Sequence, residues 1–347
     1  AGSSPALGTS YMKKKILHFI DSESYRKEGG IESVVRNITE NYRNDLYKHR
    51  VCCRDSFVSK KVLNYKFPDA TKLKKILNEE KPYLVHFHGS GPNIWISITL
   101  LLHKNIPIFL SPSYHPPWTT KRPIMAYINK LFLNLVMNQD IYIAFSTKYE
   151  VNQFRLEKKN FIIIPPFFMN SKISKKKLNQ VLFVGRDDNH KGLDVYIMIA
   201  KEFPTINFIA VTKPKRKYQV SNNLSLLSNI SNKEIEELYA DSKLLILPSS
   251  YESFGGVVFE ALSKDCMVII SDRVKCIEYL ENNKNVFLFK FKNKSQNIQS
   301  IKTIMKKLKK SDRSFLSDSD HNNSKNIITL EENISNLDKL YSFLKAK

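Results

Sequence analysis

Two parallel, doubly wound α/β domains in series are the fold class this sequence predicts. Its 347 residues amount to roughly two domains of about 150. Its 42% content of hydrophobic residues supplies a core for each. Short apolar runs alternate with helix-length segments from end to end. A disordered tail or a single small module is excluded.

The first series of apolar runs, read as buried strands, covers residues 15–20, 50–53, 83–87, 106–110, 141–145 and 162–164. The alternation restarts at 181–184 and continues through 206–211, 244–247, 268–270 and 286–289. Between the two series, residues 165–180 carry Pro165 and Pro166, then a polar run with Lys175, Lys176 and Lys177. The expected division is a first domain over 12–168, a linker over 169–180 and a second domain over 181–325. Residues 1–11 are small and aperiodic ahead of Met12 and are read as an appended extension outside the fold. Residues 311–325 read as a solvated loop. Within 326–347, Ile334, Leu337, Tyr341 and Leu344 recur at helical spacing, so a terminal helix must dock, with the first domain as one candidate surface. Residues 123–138 have apolar residues on almost every face, flanked by Lys121 and Arg122, and are read as a core helix ahead of a membrane anchor.

A formal charge of +22, from 55 Lys+Arg against 33 Asp+Glu, points to an acidic partner: nucleic acid, an anionic membrane surface or a phosphorylated small molecule. Neither half of the chain holds the excess alone, so no dedicated basic arm is expected. Cys52, Cys53, Cys266 and Cys276 lack any C-x-x-C spacing, which argues for a reducing cytoplasm and against a disulfide framework or zinc site. The longest apolar runs, such as 94–102, reach about half of the roughly 20 residues that span a bilayer. The apolar stretch behind Met12 is too short for a signal core, so secretion is not expected.

The segment that carries most chemistry is Ser249-Ser-Tyr-Glu-Ser-Phe-Gly-Gly-Val-Val-Phe-Glu, after the apolar run LLILP. Gly255 and Gly256 would open a helix, where bare backbone N–H groups and the helix dipole favour a phosphate. Glu252 lies in the preceding turn. Glu260, over one turn inside, could accept two hydrogen bonds from a vicinal diol such as a ribose. Alone, the segment reads equally as a glycine turn with two solvated glutamates. After VLFV comes Gly185-Arg186-Asp-Asp-Asn-His-Lys191-Gly192, whose Arg186 and Lys191 could converge on one diphosphate. Both segments fall at carboxyl ends of strands in one sheet, where such folds bind ligands.

These residues resemble the retaining nucleotide-sugar glycosyltransferases of family four, whose architecture is GT-B: two Rossmann-like domains facing a cleft. Glu252 and Glu260, with seven residues between them in ESFGGVVFEA, match the family's hallmark, and GRDDNHKG keeps the spacing of its phosphate loop. Gly29 and Gly30 follow the first strand as the family's glycine loop does, and His115 in SPSYHPPW is similar to its active-site histidine. The chain departs from the pattern at IAVTKPKRK, at Lys264-Asp265-Cys266-Met267 and at Arg273-Val274-Lys275-Cys276 ahead of Glu278.

The resemblance implies transfer of a sugar from a nucleoside diphosphate with retention, His115, Arg186, Lys191 and Glu252 acting at the reacting centre. Gly29, Gly30, Gly185, Ser253, Phe254, Gly255, Gly256, Val257 and Glu260 would hold the donor. Arg186, Lys191 and the N–H groups at Gly255 and Gly256 supply the positive charge the leaving diphosphate needs, so neither a metal nor another cofactor is expected. Asp318 and Asp320, an Asp-x-Asp in a polar stretch, are read as solvated. His86 and His88 are set aside as metal ligands on the expectation that they point to opposite faces of a strand. There is no G-x-S-x-G, Walker loop or G-x-G-x-x-G.

The expected acceptor is a lipid-linked or surface-polysaccharide glycan. The expected location is the cytoplasm, peripherally at the inner face of its membrane. Lys60, Lys61, Lys66, Lys72, Lys74 and Lys75, mixed with Val62, Leu63, Tyr65 and Phe67, suit an anionic surface with apolar insertion, or read as plain solvated surface. The rival readings are a catalytically silent sugar-nucleotide-binding or scaffold protein and, on charge alone, a nucleic-acid binder; no nucleic-acid partner is expected.

Overall fold

The computed structural model describes residues 13–22, 29–42, 46–54, 62–65, 69–102, 104–113, 116, 123–136, 141–154, 161–166, 177–310 and 330–342. Two parallel sheets follow one another along the chain. The first holds β1 (Lys14–Ile20), β2 (Tyr47–Cys53), β3 (Val62–Asn64), β4 (Leu84–His88), β5 (Ile108–Ser111), β6 (Ile141–Phe145) and β7 (Phe161–Ile163), in the order β3-β2-β1-β4-β5-β6-β7. The second holds β8 (Leu178–Val184), β9 (Asn207–Val211), β10 (Leu224–Leu227), β11 (Ser242–Leu247), β12 (Met267–Ser271) and β13 (Val286–Phe289), in the order β10-β9-β8-β11-β12-β13. Both orders reverse direction beside their own first strand, between β1 and β4 and between β8 and β11. Such reversals open a crevice at the carboxyl ends of the strands.

Helices cover both faces of each sheet, which is why the central strands read as unbroken apolar runs. One face of the first sheet buries Leu17, Phe19, Val85 and Phe87 under α2 (Ala70–Glu80), α3 (Pro92–Leu101) and α4 (Pro123–Val136). The other lies under α1 (Gly30–Asn41) and the terminal α10 (Leu330–Ser342), whose Leu337, Leu340 and Tyr341 are buried against Ile16, Leu84 and Phe109. The chain thus returns from the second domain to close the core of the first. In the second sheet, α6 (Leu193–Glu202) and α9 (Lys294–Lys310) cover one face. Helices α7 (Asn232–Asp241) and α8 (Gly256–Ser263) cover the other. A reciprocal pair starts α7: Ser231 Oγ accepts the Glu234 N–H at 3.3 Å, and Glu234 Oε2 accepts the Ser231 N–H at 2.6 Å.

Several expectations are corrected. The edge strands β3 and β10 are additional to the eleven runs read from the sequence, and β8 begins at Leu178, three residues inside the expected linker. Tyr65 is fully buried, with its hydroxyl 3.4 Å from Ser97 Oγ, and Leu63 packs on the same core, so neither can insert into a membrane. Helix α4 is not enclosed in the core: Ile124 is 73% exposed and Leu131 and Leu135 are 60% exposed. His86 and His88, two apart on a strand, share a face, with ring centroids 3.9 Å apart. Among the described residues no helix is long and apolar enough to cross a membrane.

The two domains touch through α5 (Lys148–Val151). The Lys148 N–H donates to Glu278 Oε1 at 2.9 Å, the Tyr279 hydroxyl donates to the Ser146 carbonyl at 2.9 Å, and Lys275 Nζ sits 4.3 Å over the Tyr149 ring.

Candidate functional site

The loops leaving β8 and β11 meet where the second sheet reverses. Gly185 follows β8, and the turn runs through Asp188 N–H to the Arg186 carbonyl and Lys191 N–H to the Asp188 carbonyl. Gly192 then takes φ +78°, and a Cβ there would lie 2.6 Å from the Pro248 carbonyl oxygen after β11, so only glycine allows this approach. The Ser250 N–H donates to the His190 carbonyl at 2.7 Å and laces the two loops together.

That lacing brings Lys191 onto Glu252. The ammonium reaches both carboxylate oxygens, at 2.6 and 2.8 Å, and the fully buried Ser249 donates its hydroxyl to Oε1 at 2.9 Å. Burial alone would raise the Glu252 carboxyl; the Lys191 charge and the hydrogen bonds from Lys191 and Ser249 outweigh it and hold the group below the usual carboxylate range. Arg186 sits at the rim of the same loop, 77% exposed, with Nε 3.4 Å from Asp188. Lys191 is inside and Arg186 outside, so the two cations lie at different depths of the loop.

The chain turns into α8 at Gly255, which has φ +97° and whose added Cβ would meet Val274 Cγ1 at 2.8 Å. Gly256 starts the helix, and a Cβ added at Gly255 would lie 3.7 Å from Glu252 Cβ, so the helix begins beside the Lys191–Glu252 pair. Ser253 and Val257 flank this turn, and Phe254 is buried, stacked on Phe259 at 5.1 Å. Glu260 is one turn further on, where the Tyr239 hydroxyl donates to its Oε2 at 2.9 Å. Burial raises its carboxyl, the Tyr239 bond offsets this in part, and Glu236 adds to the rise.

Sequence reasoning did not single out Ser249, Tyr239, Asp187 or Asp188. Asp187 accepts the Lys215 N–H at 2.7 Å and the Tyr218 hydroxyl at 2.6 Å, and Asp188 pairs with the Lys215 ammonium. The lysine-rich stretch after β9 is thereby tied to the Arg186 loop. The acidic pair inside GRDDNHKG, opposite KPKRK, was the available signal. At Asp265, within one of the departures, φ is +56°, a left-handed position that glycine fits more easily.

In the first domain Gly29 precedes α1 and Gly30 begins it, beside the end of β4: Ile31 Cδ1 would meet a Cβ on Gly89 at 3.1 Å. His115 and the Asp318–Asp320 pair lie outside the described residues, as do Lys60, Lys61, Lys66 and Phe67. A chain of histidines, buried except for the half-buried His49, crosses the sheet: His18 Nδ1 is 2.9 Å from His88 Nε2, and His18 Nε2 is 2.8 Å from His49 Nδ1. His86 bonds Ser111 Oγ through Nε2 at 2.9 Å, and its Nδ1 lies 3.5 Å from the Tyr341 hydroxyl of α10. His18, His86 and His88 bring ligand-type atoms within 4.8 Å of one another. In this arrangement the three rings bond one another, His49, Ser111 and Tyr341. Burial is the main force lowering the pKa of His18, His86 and His88, with His88 pushed down to about 3.

Comparison with known proteins places this geometry in context. Residues 166–315 match the family model described as Glycosyl transferases group 1. A curated relative, "Uncharacterized 41.2 kDa protein in cps region" of Klebsiella pneumoniae, is 24% identical over 316 residues, covering 78% of this chain and 86% of that protein. The solved structure of Anabaena HepE in complex with UDP-glucose is 16% identical with TM-score 0.72, covering 94% of this chain and 99% of that one. WaaG, described as a glycosyltransferase involved in lipopolysaccharide biosynthesis, is 14% identical with TM-score 0.61, covering 96% and 95%. Residues 166–315 are therefore similar to the glycosyltransferase group 1 domain, and the two-domain fold that holds them is GT-B.

Proposed function

We propose that the chain is a retaining glycosyltransferase that moves a sugar from a nucleoside diphosphate to a lipid-linked or surface-polysaccharide acceptor at the inner face of a cytoplasmic membrane. The observation that carries this reading is the meeting of Lys191, Glu252, Ser249 and the α8 N-terminus at the reversal point of the second sheet, inside the group 1 domain. The HepE complex with UDP-glucose supports a nucleoside-diphosphate sugar as donor, and the names of the WaaG and Klebsiella proteins support the acceptor class.

The chemistry follows from charge. Breaking the bond between sugar and diphosphate builds negative charge on the leaving oxygens, and preorganised donors stabilise it without reorganising. Lys191, Arg186 and the N–H groups at Gly255 and Gly256 are those donors. Before the donor binds, Glu252 neutralises Lys191. An arriving diphosphate competes for the ammonium and turns Glu252 toward hydroxyls of the transferred sugar. Glu260 holds the ribose, its second partner Tyr239 fixing the carboxylate's orientation.

Since these groups supply the cationic charge, EDTA leaves the reaction largely intact. A screen of common nucleotide sugars, read by released diphosphate with and without EDTA, tests both statements. Turnover of one donor in either condition supports transfer chemistry, and loss in EDTA restored only by manganese or magnesium contradicts the metal-free mechanism. Nucleoside-diphosphate binding without turnover of any donor would instead identify a silent binding protein.

A further inference from the structure

We propose that the exposed apolar face of α4 is the surface by which the protein lies on an anionic lipid bilayer. This deepens the membrane-acceptor reading above and rests on it for its purpose, though not for its geometry. Ile124, Tyr127, Ile128, Leu131 and Leu135 are 73%, 63%, 42%, 60% and 60% exposed. At 100° per residue they fall within a sector of about 100° on one side of the helix. The opposite side buries Ala126, Leu133 and Val136. Ile96 and Leu100 of α3 are also exposed, and α3 is joined to α4 by the Trp95–Phe132 stack at 5.0 Å. Elsewhere among the described residues, exposed large apolar side chains such as Leu46, Val220 and Leu288 are single positions in their elements or loops. A stripe of five on one helix marks an interaction surface, where scattered single residues do not.

The charge around the stripe selects the occupant. Between Glu80 and Asp140 the sequence holds Lys81, Lys104, Lys121, Arg122 and Lys130 and not one Asp or Glu. Helix α2, in the same layer over the sheet, carries Lys72, Lys74 and Lys75 against Glu79 and Glu80 at its C-terminal end, with Lys75 3.9 Å from Glu79, a net contribution of one positive charge. A second copy of this chain seated on the stripe would bring like charges together. An anionic bilayer offers opposite charge and an apolar interior at once. With 14 residues, α4 is about 21 Å long, too short to span roughly 30 Å of hydrocarbon and suited to lie in the interface plane.

Co-sedimentation with vesicles of phosphatidylglycerol and phosphatidylcholine in equal parts, and of phosphatidylcholine alone, tests the assignment. The wild-type chain is expected to bind the mixed vesicles and to release them at high salt. Replacing Ile124→Gln, Leu131→Gln and Leu135→Gln together should lower vesicle affinity by about a hundredfold or more. Because these side chains are exposed, the melting temperature and release of diphosphate from a soluble donor should not change. Lys130→Gln should weaken binding about fivefold. Equal binding to neutral and anionic vesicles, unchanged binding in the triple variant, or a lipid-free dimer that the triple variant converts to monomer would overturn the assignment. Failure of the glycosyltransferase reading would show separately, as absence of diphosphate release from every donor.

Discussion

Glu252 and Glu260 sit eight positions apart in different surroundings. Glu252 is held ionised by Lys191 and Ser249; Glu260 has only the Tyr239 hydroxyl against burial and the Glu236 charge. Glu260→Ala should therefore act on donor affinity. A charged hydrogen bond to a hydroxyl is worth about 1.5–3 kcal/mol, so nucleoside-diphosphate binding should weaken roughly 10- to 150-fold by calorimetry. Unchanged affinity would remove the ribose role. Glycine at 192 carries a second prediction. Its left-handed φ and the Pro248 carbonyl at 2.6 Å from any added Cβ mean that Gly192→Ala costs at least about 1–2 kcal/mol. A lower melting temperature together with weaker donor binding is expected, since the same loop carries Lys191; an unchanged melting temperature would argue against the close approach. At this scale the sequence exposed the charged residues of the two loops. It hid Ser249 and Tyr239, whose hydroxyls matter only through partners distant in the chain, and it gave no sign that Lys191 would pair with Glu252.

Among the elements, the central strands were legible because a parallel sheet covered on both faces needs unbroken apolar runs. The edge strands β3 and β10 were not: they are as short as the edge strands β7 and β13, but Asn64 and Ser225 break their apolar runs, whereas FII and VFLF are unbroken. The amphipathic stripe of α10 was also visible, with the first domain as one candidate surface; the contact of Tyr341 with His86 within that surface was not. Histidines on β1, β2 and β4 escaped notice as a group because only strand register brings them together. They make the first domain sensitive to acid. In the folded state burial holds His18, His86 and His88 far below the unfolded value of about 6.5, so below that pH the unfolded chain binds protons the folded chain does not. Stability contributed by these rings is intact above pH 6.5 and falls on acidification toward pH 3, by up to about 1.4 kcal/mol per histidine per pH unit. The melting temperature should drop steeply between pH 7 and pH 5. His18→Gln and His88→Gln should flatten that slope, and an identical slope in both would refute the assignment.

For the whole molecule, two similar sheets place their reversal points where ligands can be held, and α10 and the α5 contact tie one domain to the other. The alternation of strands and helices made this arrangement readable. Which apolar segments face water was not readable, because hydrophobicity alone does not distinguish the buried Tyr65 from the exposed Ile124; their places relative to the first sheet do. The central claim is that the loops after β8 and β11 form the sugar-donor site. Its most direct test is the initial rate of diphosphate release from the best donor, measured for wild type, Arg186→Ala and Lys191→Ala alongside their melting temperatures. Removing a group that stabilises transition-state charge should slow each variant roughly a hundredfold or more. Arg186→Ala, at an exposed position, should keep its melting temperature, whereas Lys191→Ala should lose some by leaving Glu252 unpaired. Near wild-type rates in both variants would contradict the account.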